Sequence, residues 1–449
     1  MANRSEYWNP KNERLSRDDL RALQHYKLKR LCEWAYEKSA FHRRRWDAAK
    51  FHPDQLRTVD DIERIPFMTR GEWMDAQAEA PPFGPLLAVP PEHAIRYHTT
   101  SGTTGRTPLR MLDSTKDWEW IAEMWAYGLW AFGIRPNDTV LFAFSYGTFI
   151  GFWGAHYACE KIGCLVLSTG SATTESRVKS IIDMEVTTVC STPTYALRMW
   201  QAAAEMGIDL ARDSQVNKVM VSGEPAGSIP AVKRQLEAAW GAKVGDTAGM
   251  TEIGTIMIFE CSHQPGGTHI IEDNFIEETL QHDSDRRVPY GERAERVVTS
   301  FGRGFIPLIR YRTNDLVVKI PHDRCGCGRT GDIYQGGIQG RWDDMKLVRG
   351  TNVYPRAVES IVRECAAVDE FQILLTREGV IDEICVRVEL KPGREDHWAA
   401  LCDRLHVDLA DAHEGLRFKV EQAEPNSLPR FELKAKRLVD QRPVAEYST

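Results

Sequence analysis

Between residues 139 and 245, short apolar runs alternate with longer amphipathic stretches, a rhythm that narrows the fold more than any other feature of the chain. Thr139–Phe144, Cys164–Ser168, Thr187–Cys190, Lys218–Val221 and Ala242–Gly245 read as strands. Gly151–Ile162, a stretch from Glu175, Tyr195–Met206 and a segment capped by Ser228 and stopped at Gly241 read as the helices between them. Strands that alternate with helices pair in parallel, because each crossover returns the chain in the same direction. The expectation is a doubly wound α/β layer. Ligands of such sheets lie at the carboxyl ends of the strands. Ser222-Gly-Glu-Pro225 and Asp246-Thr-Ala-Gly-Met-Thr-Glu252 occupy two such ends.

Around this layer the texture changes twice. Residues 16–49 read as one long helix capped by Ser16, with Leu20, Leu23, Leu31 and Trp34 at roughly helical spacing. From 270 to 340 the sequence is turn-rich and reads as β structure. Past Gly340-Arg-Trp-Asp-Asp344 it becomes a small α+β unit: strands at Glu370–Leu375, Glu383–Leu390 and Phe418–Gln422, with a helix at Asp396–Ala412. A length of 449 residues exceeds what one core usually supports. The expected division is a large α/β domain over 1–340, with doubly wound sheets and a β-rich portion, and a small mobile α+β domain over 341–449. The net charge of −7 argues against a nucleic-acid partner. No run of eighteen apolar residues suggests a membrane span, and the polar N-terminus lacks a secretory h-region, so a cytoplasmic protein is expected.

The chemistry is concentrated in a few segments. Thr99 to Thr104 supply five hydroxyls beside Gly102, and Gly105 and Arg106 follow. Two glycines let successive N–H groups turn inward on an anion, and Arg106 adds a cation, so the loop suits a polyphosphate. It fits neither the Walker pattern nor the dinucleotide fingerprint, and a Ser/Thr-rich surface turn is the plainer alternative. Thr251-Glu252 places a carboxylate beside a hydroxyl, a pair suited to Mg²⁺ or simply to capping a helix. Asp315 follows Arg310-Tyr-Arg-Thr-Asn314, where its carboxylate could accept ribose hydroxyls or only pair with a surface arginine. Gly340-Arg-Trp-Asp-Asp-Met-Lys346 stands where a hinge or a plain charged linker would be. Leu428-Pro-Arg-Phe-Glu-Leu-Lys-Ala-Lys-Arg437 ends the chain's ordered series with a basic cluster.

Together with Tyr146-Gly-Thr-Phe149, Gly154-Ala-His-Tyr157, Ser191-Thr-Pro-Thr-Tyr195, Pro307–Thr313 and Val353-Tyr-Pro355, these segments follow one another in a recognisable order. The chain resembles the phenylacetate–CoA ligase branch of the adenylate-forming (acyl-CoA synthetase) superfamily over nearly its whole length. The resemblance implies that ATP and a carboxylic acid form an acyl-adenylate, which the thiol of coenzyme A then attacks. A carrier-protein thiol or an amine as acceptor, or a non-catalytic nucleotide-binding relative, are the alternatives, and a homodimer is left open. It further implies that Thr100, Ser101, Gly102, Thr103, Thr104, Gly105 and Arg106 grip the phosphates. Glu252 with Thr251 holds Mg²⁺, Asp315 and Arg341 hold the ribose, and Gly223, Glu224, Pro225, Asp246 and Thr247 complete the nucleotide site. Lys434 bridges the acid and the α-phosphate, and Asp343 is the hinge. Tyr146, Phe149, Ala248 and Gly249 surround an acid that the aromatics and glycines suggest is itself aromatic. Departures are Arg106 in place of a usual Lys, Ala248 in place of a Tyr against the adenine, and Asn314 in place of a Gly, which Asn tolerates in a left-handed conformation.

In a cytoplasmic chain the ten cysteines should be reduced. Cys32, Cys159, Cys164, Cys190, Cys365, Cys385 and Cys402 sit singly in apolar contexts and read as buried packing residues. Cys325-Gly-Cys327 differs, and Cys261 lies upstream with His263 and His269. Three thiols and one imidazole would close a tetrahedral, structural Zn²⁺ site with no open position for catalysis. The resemblance favours His269 over His263 as the fourth ligand.

Overall fold

The computed structural model describes residues 5–100, 108–263, 267–378, 381–431 and 435–442. Its centre is a twelve-stranded sheet in which the strands Leu165–Ser168, Thr139–Phe142, Thr188–Ser191, Lys218–Ser222 and Lys243–Met250 run parallel, in that spatial order. The next strands, Thr255–Phe259, Gly267–Ile270, Ile333–Gln335, Tyr311–Ile320, Arg293–Ser300 and Phe275–Leu280, continue the same sheet antiparallel. The β-rich portion read from the sequence is therefore not a separate layer. It extends the α/β sheet sideways.

The parallel half is wound on both faces, and the strands show why. Val140, Phe142, Cys190 and Met220 join one core with the helices Thr115–Ala131 and Trp153–Ile162. The intervening Leu141, Val189, Val219 and Val221 join a second core with Thr174–Asp183, Pro193–Glu205 and Pro230–Trp240. Side chains alternate across a strand, so a fully apolar run feeds two helical layers at once. Past residue 341, a four-stranded sheet packs on the helices Pro355–Arg363 and Trp398–Ala412 around a core of its own, with Phe371, Val386 and Leu405 at its centre. No helix among the described residues is long and apolar enough to cross a membrane.

Four local expectations are corrected. The long N-terminal helix is two, Arg17–Lys38 and Ala40–Ala48, because Ser39 is extended (φ −102°, ψ 113°) and its hydroxyl turns to the carbonyl of Leu86 at 3.0 Å. Ser228 does not cap the following helix; Ile229 occupies that position without a side-chain bond, and the Ser228 hydroxyl has another partner, described below. Asp246 to Met250 lie within the strand Lys243–Met250, not beyond its end, and Asp315 likewise lies within Tyr311–Ile320. Of the single cysteines, Cys164, Cys365 and Cys402 are only partly buried. The expectation for Asn314 holds: it is left-handed, with φ 60°.

Arg303 and Asp113 form a two-bond ion pair of 2.6 and 2.8 Å with both side chains fully buried. Removing one member leaves the other charge in a medium that cannot solvate it. Asp113→Ala is expected to lower the unfolding free energy by about 3–5 kcal/mol, a drop that urea denaturation followed by far-UV circular dichroism reads directly.

Candidate active site

Glu252 is the most constrained of the residues singled out in the sequence. It is buried, and Arg70 Nη1 donates to its Oε1 at 2.5 Å. The same guanidinium reaches Thr100 Oγ1 at 3.3 Å, and the Tyr311 hydroxyl donates to Glu252 Oε1 at 3.4 Å. Arg303, held by Asp113, donates from Nη1 to the backbone carbonyls of Thr251 and Glu252, each at 3.0 Å. One surface arginine thus joins Glu252 to the residue that enters the hydroxyl-rich loop, and one buried arginine fixes the backbone beneath it.

The loop itself, Ser101 to Arg106, and Lys434 lie outside the described residues. Its entrance is fixed on both sides. Thr100 N–H donates to the Leu109 carbonyl and its hydroxyl accepts from Leu109 N–H, each at 3.1 Å, so the two arms are tied together. Thr99 N–H donates to the Thr148 carbonyl at 2.9 Å and the two hydroxyls meet at 3.2 Å. This brings the segment Tyr146–Phe149 to the mouth of the loop. Tyr146 lies edge-on to Trp153 with centroids 4.7 Å apart, and its hydroxyl sits 3.0 Å from His156 Nδ1. Burial is the main influence pushing the Tyr146 hydroxyl above its usual range, so the phenol stays protonated. Beside it, Arg96 is boxed by Trp118, Tyr157 and Trp153 at 4.7, 5.0 and 5.1 Å from the ring centroids. Phe149 and Ala248 are half-buried against the same core as Tyr146.

Asp315 and Arg341 are direct cross-strand partners. Arg341 holds Asp343 with two bonds of 2.7 Å. Burial works against the Asp343 carboxylate, but the Arg341 bonds prevail and keep it below its usual range. Gly223 turns left-handed (φ 92°), and Glu224 Oε2 accepts from Thr194 at 2.6 Å while its Oε1 is buried without a partner. Burial pushes the Glu224 carboxyl up to about 7. The backbone of Pro225–Ser228 makes a short 3₁₀ turn. Asp246 is buried and pushed up to about 8, first by burial and then by the neighbouring Glu260. Thr247 is buried too, its hydroxyl 3.3 Å from the Val221 carbonyl. Gly249 cannot bear a side chain, since a Cβ would sit 2.5 Å from the Thr255 carbonyl.

A second cluster gathers Cys261, His269, Cys325 and Cys327, all buried, with ligand atoms within 4.8 Å of one another. Cys261 and Cys325 sulfurs are 3.6 Å apart, and Cys327 Sγ lies 3.3 Å from His269 Nε2. Around a tetrahedral Zn²⁺ two such sulfurs stand about 3.8 Å apart, and a sulfur and a nitrogen about 3.6 Å apart. His269 Nδ1 donates to the Gly331 carbonyl at 3.2 Å, which directs Nε2 toward the thiols. His263 is not in the cluster; it is exposed, with Ser262 Oγ 3.2 Å from its Nδ1. The sequence reading missed Arg70, Arg303, Asp113 and Arg96, whose partners lie too far away in the chain to leave a local pattern.

Comparison with known proteins agrees with this geometry. Residues 38–279 match the AMP-binding enzyme family and residues 350–442 match the AMP-binding enzyme C-terminal domain. A phenylacetate-coenzyme A ligase of Thermus thermophilus is 34% identical over 97% of this chain and 99% of its own length. A crystal structure of 2-hydroxyisobutyryl-CoA ligase in the postadenylation state, in complex with 2-HIB-AMP, is 31% identical, covers 98% of this chain and 93% of its own, and superposes with a TM-score of 0.92. The same ligase in its thioesterification state, with 2-HIB-AMP and CoA, has 32% identity and equal coverage (98% and 93%) but a TM-score of 0.74. A likeness that runs through both matched regions in order and across nearly the full length of these relatives places the chain in the AMP-binding enzyme family, in its adenylate-forming, phenylacetate–CoA ligase-like branch.

Proposed function

We propose that the chain condenses an aromatic carboxylic acid with ATP to an acyl-adenylate, releasing pyrophosphate, and then transfers the acyl group to the thiol of coenzyme A, releasing AMP. The observation that carries the site assignment is the Arg70 bridge, one guanidinium contacting both Glu252 and Thr100. When a carboxylate approaches the α-phosphorus, two anions meet, so donors must already be in place around the phosphates. In this reading Ser101 to Arg106 wrap the phosphates, and the Arg70 and Arg303 bonds hold Glu252 still. Glu252, with the neighbouring Thr251, offers the oxygen donors that suit Mg²⁺, whose charge would draw electron density from the phosphate oxygens. Asp315 and Arg341 face the ribose from adjacent strands. Gly223, Glu224, Pro225, Asp246 and Thr247 form the nucleotide wall.

The acid lies against Tyr146, Phe149, Ala248 and Gly249, next to the mouth of the loop. A flat ring suits the aromatic surfaces there. A small aliphatic acid is the second reading, favoured by the TM-score of 0.92 to a ligase holding 2-HIB-AMP. Lys434 bridges the acid and the α-phosphate in the first step. The division falls between 1–340 and 341–449, and turning about Asp343 withdraws that lysine and admits the thiol.

The Cys261, His269, Cys325 and Cys327 cluster suits a structural Zn²⁺: its donors are soft and its spacing is that of a tetrahedron. Hydrogen bonding from the Cys261 thiol, and then from His269, draws Cys327 below the usual thiol range against the opposing effect of burial. The metal would pin the 325–327 loop to Gly267–Ile270 and take no part in the chemistry.

Acid-dependent exchange of labelled pyrophosphate into ATP, run over a panel of aryl, arylacetic and small hydroxy acids, should be strongest with an arylacetic acid. Exchange confined to the hydroxy acids would replace the first reading by the second. Lys434→Ala should abolish exchange while a supplied acyl-adenylate is still converted to its CoA thioester; equal loss of both steps would remove the assigned role. Metal analysis should find about one zinc per chain, and Cys325→Ser should lose it together with several degrees of thermal midpoint.

A further inference from the structure

Among the described residues, polar side-chain contacts join the two units. Arg234 and Glu364 form an exposed pair at 3.1 Å, and Gln201 Nε2 donates to Asp369 Oδ1 at 3.3 Å. Arg356, at the start of the helix Pro355–Arg363, differs in kind. Its Nη2 donates to Ser228 Oγ at 2.7 Å and to the Gly336 carbonyl at 2.9 Å, and its Nη1 donates to the Ile338 carbonyl. Burial is the main influence on its guanidinium, lowering it to about 10, against the pull of the nearby Asp246 and Glu359 carboxylates. It is therefore a largely desolvated charge, and its acceptors are worth more than they would be in water.

The acceptors are presented by an unusual turn. Gly336 and Gly337 are both left-handed, with φ 69° and 61°. A Cβ on Gly337 would stand 3.3 Å from Asp246 Oδ2 and 3.4 Å from Ser228 Oγ, so the turn is folded against both residues. A planar guanidinium can meet three oxygens disposed this way; a lysine ammonium, a point charge on a flexible stem, fits them less well. Ser228, Gly336 and Ile338 all precede Asp343, whereas Arg356 follows it. Any rotation about Asp343 breaks all three bonds together.

We propose that Arg356 is a positioning residue, a latch that closes the small unit onto Ser228 and the Gly336–Ile338 turn for the adenylation step and is released before thiol attack. The proposal rests on the hinge reading above. The superposition supports the closed assignment: this arrangement follows the postadenylation structure of the relative at 0.92 and its thioesterification structure at 0.74. The Gly337 turn that the latch grips is itself folded against Asp246, so closing the latch also brings the Arg356 charge toward that buried carboxyl. A shift of the equilibrium between arrangements changes one half-reaction at the expense of the other, and typical couplings of this kind span roughly 5–150-fold.

Two measurements on full-length protein test this. Without any ligand, Arg356→Ala should speed hydrogen exchange at least about fivefold in the helices Pro230–Trp240 and Pro355–Arg363, which face each other across the seam, and leave the strand Thr255–Phe259 unchanged. With phenylacetate as the probe acid, pyrophosphate exchange should fall about tenfold or more, while CoA thioester formation from supplied phenylacetyl-adenylate stays level or rises. Arg356→Lys should recover part of the first rate, and Ser228→Ala should mimic the alanine variant more weakly if Arg356→Ala folds poorly. Equal loss of both half-reactions, or unchanged seam exchange in the folded variants, overturns the latch. If the unmodified protein gives no exchange with phenylacetate, the proposed acid fails, and the ligand-free measurement alone decides on the latch.

Discussion

A guanidinium with no exposed surface fixes the backbone that carries Glu252. Arg303 is neutralised by Asp113 and spends its remaining donor on the carbonyls of Thr251 and Glu252. That arrangement joins three distant stretches of chain: the strand Arg110–Asp113, the turn after Lys243–Met250, and the segment following Arg293–Ser300. A buried pair of this kind adds little net stability compared with a well-packed apolar contact, yet breaking it is severe. Its value is geometric. The carboxylate of Glu252 can be steered by Arg70 only because the backbone that carries it cannot shift.

The rest of the site follows from the way one sheet changes character along its width. The parallel half, covered by helices on both faces, brings Ser222, Asp246 and Thr247 side by side. The antiparallel half carries Asp315 and Arg341 as neighbours and reaches the thiol cluster at its inner strands. The transition falls at Lys243–Met250, paired in parallel with Lys218–Ser222 on one edge and antiparallel with Thr255–Phe259 on the other. Residues contributed by both halves therefore meet around a single strand.

What was legible in the sequence was what repeats locally. Alternating apolar runs disclosed the parallel half, the change of texture past residue 340 disclosed the small unit, and paired thiols two residues apart disclosed the cluster. The left-handed Asn314 could be anticipated because a short polar side chain tolerates that region. Long-range ion pairs were not legible, since Arg303 and Asp113 are separated by 190 residues and neither stands in a periodic pattern. The break at Ser39 was hidden because helical periodicity continues across it, although a serine between two helix-forming stretches is itself a capping signal. Ser228 misled for a related reason: its hydroxyl serves a guanidinium from the other unit instead of the adjoining helix.

Gly249 and Ala248, adjacent in one strand, differ in what selection could do with them. Across a bulge in the pairing with Thr255–Phe259, Gly249 faces a backbone carbonyl 2.5 Å from where a Cβ would stand, and a backbone atom cannot yield as a side chain would. Ala248 already carries a Cβ and is half-buried against the large core, with no such obstruction implied by its own geometry. An evolving lineage would thus find one of these two positions open to substitution and the other closed. Diversity among descendants of this chain should accumulate at 248 and be nearly silent at 249, so that a single methyl-bearing position, not the glycine beside it, carries the variation this strand permits.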